Sequence, residues 1–560
     1  MKKKSMVRFG HFIGAAVLML SALIMGLLLK LNLRFITEII SGDDHIRIEL
    51  STIRKNTLLC LVFAALMIFV RVAADRRSDA RGTSAEVPLR TRNILLAVCT
   101  ALLGVLSIGW VLLLRGPVTP DDTGTCYSLA LSVYHEGLEQ YMMPGGYLER
   151  YPHQYGVVSM DLLSFALGGE GNVLPFRIFN VLMLLCAYAA GAGLVRILER
   201  RYAEAHGQRV SYFAEPLWLI LGLLNLPSVW YVNYLYGEIA SLAAMLITSW
   251  ALASYARDGR LRFLIPAAAS VALGVLLRKN TIIFLLAASI ALLLHALLKK
   301  QWKSLLVIAV LWLCATLPMK GLQILYSQKT GVPISEGIPM ELFIVMGVSD
   351  EYRGPGWYTD YTVAVYNQNG YDPQVSREIA RENLRETAAL FRADPALAKD
   401  FYLRKTISQW TDPTYEGLFY CMYYDPGLDP RIAHFLTELA GGAYTYRVLK
   451  GLEGYQLVVY AGIFLCALLS LADTLRRWIR GSGETEVLLL IPWITLIGGF
   501  LFTLLWEAKS RYTIEYVYLL TPMACMGYLQ LGSLVSRILR GKRARGGAGS
   551  TESNPSGDGK

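Results

Sequence analysis

Two adjacent carboxylates, Asp121 and Asp122, follow Pro120 shortly after a long apolar run. Paired carboxylates at the mouth of a membrane helix can supply a general base and a partner that orients a hydroxyl or shifts the pKa of the base. Acidic residues after a proline are also typical of a turn or a helix N-cap. The residues alone leave both interpretations open.

A first group of possible anion-binding residues lies downstream of the carboxylates. It contains Arg150 and His153, with Tyr151 and Gln154 beside them. Arg150 and His153 could bind an anionic headgroup at the start of a short apolar helix. Arg and Tyr side chains that only anchor a segment at the membrane interface would give the same composition, so this alternative stays open.

Two further cation groups stand in short connections between apolar runs. Arg278 and Lys279 form one, and Lys509 and Arg511 form the other, with Glu507 four residues before Arg511. Both connections lie outside in the orientation derived below, where cations oppose the positive-inside trend. A phosphate partner would explain these cations. The alternatives are a water-exposed hairpin at 278–279 and a helical ion pair of Glu507 with Arg511, which would leave Lys509 to face an anion.

Membrane helices are the elements that must position these side chains. The chain has 560 residues, of which 54% are hydrophobic and only 17% charged, with a mean hydropathy of +0.40. Soluble proteins have about 25% charged residues, so this composition excludes a water-soluble enzyme, a disordered chain and a fibrous repeat. A crossing needs roughly 20 apolar residues. We predict an all-α polytopic fold with about 12 spans, at 11–30, 56–72, 93–114, 174–196, 213–229, 237–256, 263–277, 280–298, 304–320, 453–473, 485–505 and 513–535.

Lys and Arg clusters beside these spans set the predicted orientation. If the chain starts in the cytoplasm, every major cluster falls on the cytoplasmic side, and both termini do as well. The net charge of +11 is then a topology signal and does not indicate a nucleic-acid partner. The apolar run 155–167 is too short to span and is predicted to form an interfacial or re-entrant helix. A full crossing there would invert every later cluster.

The predicted topology divides the chain into five parts. Residues 1–92 form an N-terminal transmembrane hairpin and a basic cytoplasmic loop, and residues 93–320 form the transmembrane core with its first outer loop at 115–173. Residues 321–452 form an extracytoplasmic, mainly helical domain, with helices expected at 376–391 and from 395 to about 410. Residues 453–536 are the last spans, and residues 537–560 are a basic, then disordered, cytoplasmic tail.

Several of these segments resemble GT-C glycosyltransferases. The similar stretches are Pro120–Asp122, Tyr151–Tyr155 and Leu174–Asn180, and the narrower resemblance is to the protein O-mannosyltransferase and aminoarabinose-transferase branch with its bacterial Rgt-like relatives. Trp506–Tyr512 resembles the Glu-x-x-x-Arg-Tyr mouth of bacterial members. The resemblance covers residues 93–320 well and 453–535 loosely. It implies a GT-C-like helix bundle and an inverting enzyme.

The implied reaction moves a sugar from a polyprenyl-phosphate donor to a hydroxyl of a cell-surface glycan, lipid or protein, outside the bacterial cytoplasmic membrane. Asp121 matches the family's catalytic base, and Asp122 matches its acidic neighbour, which is Glu in many members. Arg150 lies about where relatives place a cation on the donor phosphate, although the family has Pro-Pro at the following positions. The candidates for donor phosphate are Arg150, Arg278, Lys279, Lys509 and Arg511, and those for other substrate contacts are Tyr151, His153, Gln154 and Glu507.

No cofactor is predicted from the sequence. A divalent cation could bind beside paired carboxylates, but no ligand set is visible. The chain shows no P-loop or GxGxxG motif, and its eight cysteines form no CxxC pair, although Cys126 and Cys421 are both predicted outside and could pair. The predicted partners are the donor, a cell-envelope acceptor and the bilayer. The alternatives are a transporter or flippase of a lipid-linked glycan, and a glycan polymerase or ligase of similar fold.

Overall fold

The structure is a computed structural model, and it describes residues 2–40, 45–81, 87–114, 121–208, 210, 212–422 and 427–548. Pro120 of the acidic motif lies outside the described residues. So do residues 549–560, which belong to the predicted disordered tail.

The described chain is mostly helical from one end to the other. Its first half contains α1 (Lys2–Arg34), α2 (Ile53–Arg81), α3 (Leu89–Leu114), α4 (Asp122–Glu136), α5 (Glu139–Met142), α6 (Tyr147–Arg150), α7 (Tyr155–Gly168), α8 (Leu174–Ala205), α9 (Ala214–Leu224), α10 (Leu226–Trp230), α11 (Glu238–Asp258), α12 (Leu264–Leu277) and α13 (Thr281–Lys299). Its second half contains α14 (Lys303–Thr330), α15 (Met340–Gly347), α16 (Tyr361–Gln368), α17 (Pro373–Ala393), α18 (Pro395–Trp410), α19 (Gly417–Tyr420), α20 (Pro430–Gly441), α21 (Thr445–Arg480), α22 (Ile491–Leu505) and α23 (Ile514–Ala548).

Ten helices in the described ranges are long and apolar enough to cross a membrane. They are α1, α2, α3, α8, α11, α13, α14, α21, α23 and α22 with the turn before it, and each coincides with a predicted span. This confirms the all-α polytopic fold class. The other two predicted spans, 213–229 and 263–277, form the shorter apolar helices Ala214–Leu224 and Leu261–Leu277. The first is interrupted because α9 ends at Leu224 and Asn225 caps a new helix that has Pro227 in its first turn.

The helix expected at 155–167 is present as α7, which has 14 residues. At 1.5 Å per residue it is about 21 Å long, which is less than the hydrocarbon thickness of a bilayer. It packs against α4 and α8. It therefore lies beside the acidic motif at the start of α4.

The centre of the bundle is formed by α8, α11, α21 and α23. Two of these helices touch through glycine: a Cβ on Gly527 of α23 would lie 2.0 Å from the carbonyl oxygen of Gly462 in α21. Small residues at such crossings let membrane helices approach closely. By contrast, only 6% of the apolar stretch of α2 is buried inside the fold, as expected of a helix that faces lipid on most of its surface.

Two short antiparallel hairpins accompany the helices, and the sequence analysis did not predict either. Strands β1 (Phe35–Ile40) and β2 (His45–Leu50) join α1 to α2, and β3 (Asp350–Glu351) pairs with β4 (Gly354–Pro355). In the first pair, β2 alternates polar and apolar residues with the period of a strand, whereas β1 does not. Its Thr37 N–H donates to Thr411 O at 3.1 Å, so it contacts the end of α18.

Residues 331–444, between α14 and α21, contain the two helices that the sequence predicts at 376–391 and from 395. These are α17 and α18. Each begins with an aspartate cap and a proline: Asp372 accepts from Gln374 N at 2.7 Å, and Asp394 accepts from Ala396 N at 3.0 Å. Helix α18 packs against α22 and β1. The 331–444 segment is therefore in direct contact with the membrane bundle.

Candidate active site

The two carboxylate oxygens of Asp121 have different partners, and one of them forms the helix N-cap that the sequence left open. Its Oδ1 caps α4 by accepting from Thr123 N at 2.9 Å and Thr123 Oγ1 at 2.7 Å. Its Oδ2 points the other way and accepts from the Tyr234 hydroxyl at 2.6 Å. Asp122 is the first residue of α4, and its Oδ2 accepts from the Tyr236 hydroxyl at 3.2 Å. The Oδ2 atoms of Asp121 and Asp122 therefore both face the segment that carries Tyr234 and Tyr236.

Arg511 lies opposite both carboxylates. Its Nη1 is 3.9 Å from Asp121 Oδ2, and its Nη2 is 3.8 Å from Asp122 Oδ2. The arginine side chain is only 5% exposed, whereas Asp121 is 18% and Asp122 48% exposed. We call this arrangement of Asp121, Asp122 and Arg511 the Arg511 site. It joins a buried cation to a pair of carboxylates that solvent can still reach.

Tyrosines surround the arginine. Arg511 Nη1 donates to the Tyr234 hydroxyl, and its guanidinium lies 5.1 to 5.6 Å from the ring centres of Tyr234, Tyr236, Tyr420 and Tyr512. Such contacts favour a cation because the ring faces are negative. Gln154 donates to the Tyr236 hydroxyl, so this predicted substrate residue holds a side chain of the site.

Lys509 lies beside the Arg511 site in an aromatic setting. Its Nζ donates to the Tyr420 hydroxyl at 3.2 Å and lies 5.2 Å from the ring centre of Trp357. Trp357 and Tyr420 belong to the 331–444 segment, so this segment contributes directly to the surroundings of the site. Tyr423 and Tyr424, which follow Tyr420 closely in the sequence, lie outside the described residues.

The expected helical ion pair of Glu507 with Arg511 does not form. The chain leaves α22 at Leu505, pairs Ala508 with Trp357 as an isolated bridge, and then makes a 3-10 turn at Ser510–Tyr512. Glu507 instead accepts from the Tyr512 hydroxyl at 3.2 Å. The interruption of the helix is what allows Arg511 to face the carboxylates.

The surroundings of the site shift the pKa values of its acidic groups. Burial raises the pKa of Asp122 above its ordinary value, while Arg511 opposes the shift and Asp121 adds to it. Burial also raises the pKa of Glu507, and Lys509 and Arg511 oppose that shift. A carboxylate whose pKa lies above the ordinary range is better matched to proton transfer near neutral pH.

The connection between α12 and α13 places its two cations differently. Arg278 is buried and forms ion pairs with Glu238 at 2.7 Å and Glu515 at 2.5 Å, and its guanidinium lies 5.3 Å from the ring centre of Tyr512. Lys279 is exposed. The structure therefore gives Arg278 two carboxylate partners inside the bundle, directly behind the Arg511 site.

His153 is close enough to Lys279 and Arg278 to respond to their charge. Burial lowers the pKa of His153 to about 4, and the two cations contribute to the shift. His153 is therefore neutral at physiological pH. It can donate or accept a hydrogen bond, but it does not supply a positive charge to an anion.

Arg150 ends α6, and its Nη2 donates to the carbonyl of Gly145. Its own carbonyl accepts from Ile338 N at 3.0 Å, which ties this turn to the 331–444 segment. Burial raises the pKa of the neighbouring Tyr151, and Asp122 and Glu507 add to this shift while Arg150 opposes it. Arg150 therefore lies at the edge of the site rather than in contact with the carboxylates.

The sequence analysis missed the groups that hold the site together. Tyr234 and Tyr236 follow a short 3-10 turn after α10, and Asp412 and Glu416 lie in the connection from α18 to α19. All four are buried or nearly so. The signal that could have found them is composition: both stretches, 233–238 and 411–417, combine aromatic and acidic residues beside apolar runs.

The cysteines and possible metal ligands add no further group to the site. Cys126 and Cys421, which the sequence allowed to pair, are both buried free thiols, and Cys126 Sγ lies 3.7 Å from the Tyr147 hydroxyl. Across the residues that the structure describes, no group of three or more His, Cys, Asp and Glu side chains is placed to hold a metal ion.

One solved structure gives a weak overall match to this chain. It is ArnT from Cupriavidus metallidurans bound to undecaprenyl phosphate, with 15% sequence identity and a TM-score of 0.31 over 80% of this chain and 79% of that chain. Such a low score establishes nothing about the chemistry of this chain. No model of a protein family matches the chain, and neither does any curated protein.

The fold and the site together define a class. The chain is a polytopic all-α membrane protein in which a buried arginine faces an acidic pair at one end of α23.

Proposed function

We propose that the chain is a membrane glycosyltransferase of the GT-C type, which moves a sugar from a polyprenyl-phosphate donor to a hydroxyl acceptor. The observation that carries the proposal is the position of Arg511, 3.9 Å from Asp121 and 3.8 Å from Asp122, beside helices of membrane-spanning length. An acidic pair and a buried cation in one site supply the two kinds of group that such a substitution needs, a general base and a group that stabilises the leaving phosphate.

In the proposed step Asp121 is the general base. Its Oδ2 takes the proton of the acceptor hydroxyl, and the acceptor oxygen attacks the anomeric carbon from the side opposite the phosphate. The bond between that carbon and the phosphate oxygen breaks, and polyprenyl phosphate leaves with the bonding electrons. The sugar is transferred with inversion, and the proton on Asp121 is later released to water. Asp122 orients the acceptor or assists the base.

The leaving phosphate gains negative charge as this bond breaks. Arg511 is the cation closest to the carboxylates, and Lys509 lies next to it in the same connection. A guanidinium that binds phosphate through two N–H groups stabilises such charge strongly, because it is buried and already in position. Arg150 and Lys279 are proposed to contact the donor at the edge of the site. Arg278 is already paired with two carboxylates, so its proposed contribution is to the setting of Arg511.

The remaining candidates have supporting roles in the proposal. Tyr151 and His153 line the approach to the site, with His153 as a neutral hydrogen-bonding group. Gln154 orients Tyr236, and Glu507 orients Tyr512. None of these roles requires a metal or a cofactor.

The proposed location is the outer face of the bacterial cytoplasmic membrane, with both termini in the cytoplasm. The distribution of Lys and Arg beside the spans supports this orientation. It places residues 321–452 outside, next to an acceptor that would be a glycan, lipid or protein of the cell envelope. The division of the chain at residues 92, 320, 452 and 536 is part of the same proposal.

The experiment is a transfer assay with purified full-length protein and a short polyprenyl-phosphate monosaccharide carrying a radiolabelled sugar. Cell-envelope extract supplies the acceptor. We expect the wild type to release polyprenyl phosphate and to label an acceptor, and Asp121→Asn to do neither while remaining inserted. Asp258→Asn is the matched control, because Asp258 lies at the far end of α11 and pairs only with its neighbour Arg257 among the ion pairs of the described residues.

Rival functions give different products in this assay. A flippase of a lipid-linked glycan would move the donor across the membrane and release no polyprenyl phosphate. A polymerase or ligase would reject the monosaccharide donor and accept one with a longer glycan. Either result would refute the proposed reaction.

A further inference from the structure

The connection from α22 to α23, residues 506–513, carries both Lys509 and Arg511, yet it is irregular along most of its length. An irregular connection holds a guanidinium in one place only if other groups fix its backbone. The groups that do so in this structure come from the 331–444 segment, and they hold the connection at two points.

The first point is a buried lysine. Lys405 of α18 has no exposed surface, and its Nζ donates to the carbonyls of Gly347, Leu504 at 3.1 Å and Trp506 at 2.7 Å. Two of these carbonyls are at the end of α22, and Gly347 is the last residue of α15. The lysine therefore places its amine donors where two helices present carbonyl groups that have no partner inside the helix, and burial lowers the pKa of this amine to about 7.

Close backbone packing surrounds this lysine. Gly356 has a φ of +74°, and a Cβ there would lie 2.5 Å from Gly347 O and 2.8 Å from Lys405 Nζ. The Gly356 carbonyl accepts from Ala508 N at 2.6 Å. The backbone at residue 508 is thus held by a loop that only glycine allows to come so close.

The second point is at Ser510 and Arg511, where two buried carboxylates accept hydrogen bonds from the connection. Asp412 Oδ2 accepts from the Ser510 hydroxyl at 2.6 Å, and Glu416 Oε1 accepts from the same hydroxyl at 3.2 Å and from Arg511 N at 3.1 Å. Asp412 also accepts from Thr414 N at 2.8 Å and Glu416 N at 2.7 Å. Both carboxylates are at most 1% exposed.

The backbone that carries Glu416 is strained. Tyr415 and Glu416 are successive residues with φ values of +54° and +63°, a conformation that costs free energy for residues other than glycine. The conformation turns the Glu416 carboxylate toward Ser510 and Arg511. Strain of this kind persists where the surrounding contacts require it, and here those contacts are with the arginine turn.

We infer that Lys405, Asp412 and Glu416 are positioning residues, which fix the backbone of residues 506–511 and so set the distance between Arg511 and the acidic pair. The inference deepens the proposed function and rests on it, since Arg511 is the proposed phosphate-binding group. It makes the 331–444 segment part of the catalytic apparatus instead of a separable acceptor-binding module.

A change in the position of Arg511 can be detected at Asp122 without any substrate. Arg511 lowers the pKa of Asp122 against the opposing effect of burial. If the positioning residues are changed, Arg511 moves away and the proton affinity of Asp122 rises. The charged and titratable groups that face Asp122 are Asp121, Arg511, Lys509, Glu507, Cys126, Tyr147, Tyr151, Tyr236 and Tyr358, and none of them is altered in the variants below.

The experiment is carbodiimide labelling of Asp122 in the purified full-length protein, followed by mass spectrometry across a range of pH. Carbodiimides react with protonated carboxyl groups, and Asp122 is 48% exposed. We expect Lys405→Met and Glu416→Ala to shift the labelling midpoint upward by about half a pH unit, which is less than the shift expected when the Arg511 charge is lost altogether. Arg404→Met is the matched control, because Arg404 neighbours Lys405 but pairs with Asp350 and Asp400 at the surface.

Milder variants keep the test decisive if Lys405→Met or Glu416→Ala fails to fold. Ser510→Ala removes only the hydroxyl shared by Asp412 and Glu416, and Glu416→Gln keeps an oxygen that can accept from Arg511 N. Ser510→Ala is expected to shift the midpoint upward, and Glu416→Gln to shift it less than Glu416→Ala. Folded Ser510→Ala and Glu416→Gln proteins with the wild-type midpoint would overturn the inference.

The labelling result and the proposed function fail separately. If the wild type transfers no sugar but the variants shift the midpoint, the proposed reaction is wrong and the positioning role stands. If the wild type transfers sugar and the midpoint does not move in any variant, the positioning role is wrong.

Discussion

Removal of the Arg511 charge is the perturbation whose effect the structure defines best. In Arg511→Gln the side chain keeps polar groups of similar reach but loses the charge that lies 3.9 Å from Asp121 and 3.8 Å from Asp122. At an effective dielectric constant of 20, two unit charges at that distance attract by about 4 kcal/mol. Asp122 is 48% exposed, so solvent screening reduces the attraction between Asp122 and Arg511 to about 1 kcal/mol.

The two effects of this substitution appear in different measurements. About 1 kcal/mol corresponds to an upward change of roughly 0.7 units in the pKa of Asp122. In the proposed mechanism Asp122 acts in its ionised form beside the base, so transfer should fail at a higher pH than in the wild type as the pH is lowered. Loss of the cation at the leaving phosphate should in addition reduce kcat by about 100-fold to 1000-fold at every pH.

The assay is the pH profile of polyprenyl-phosphate release by wild type, Arg511→Gln and Arg511→Lys. The lysine variant keeps the charge but loses the planar pair of donors, so it should keep the wild-type acid limb and show part of the loss in kcat. The reasoning is refuted if Arg511→Gln has the wild-type rate. It is also refuted if both variants lose the same activity with no movement of the acid limb.

Three further substitutions test the fold and the site. Tyr234→Phe removes a hydrogen bond to the Oδ2 of Asp121 and should lower kcat about tenfold, since bonds to charged groups contribute about 1.5–3 kcal/mol; an unchanged kcat would contradict this role. Arg278→Met leaves two buried carboxylates without their cation and should destabilise the protein by about 3–5 kcal/mol. The measurement is the unfolding temperature in detergent, which should fall; an unchanged temperature would refute the buried ion pairs. Gly527→Leu should separate α21 from α23, because even its Cβ would lie 2.0 Å from the Gly462 carbonyl; wild-type stability would show that the two helices do not cross there.

The helices could be predicted from sequence because a bilayer crossing depends on length and composition alone. In the part of the chain that the structure describes, all ten helices of spanning length coincide with predicted spans, and α7 was separated from them by its length. The shortening at Leu224 follows from the residues after it, where Asn225 can cap a new helix and Pro227 fits its first turn. These are local properties, and sequence patterns contain them.

The site could be predicted only in part, because it is assembled from distant segments. The acidic motif and Arg511 were identified individually, and the connection at residues 506–512 was predicted, but their contact depends on the irregular backbone path of that connection, which no periodic pattern indicates. The roles of Lys405 and Glu416 were missed for the same reason: a buried charge is recognised by its partners, and those partners are about 100 residues away along the chain. The side of the membrane on which the site lies stays a prediction from the Lys and Arg distribution.

The most direct measurement of the central claim is a structure of the full-length protein bound to a polyprenyl-phosphate sugar that cannot be cleaved. The account predicts that the phosphate lies within about 3 Å of an Arg511 nitrogen, with the anomeric carbon on the side of Asp121. A phosphate bound elsewhere would contradict it, for example in the 490 Å³ cavity lined by Arg201, Arg476, Arg477 and Arg537 farther along α23.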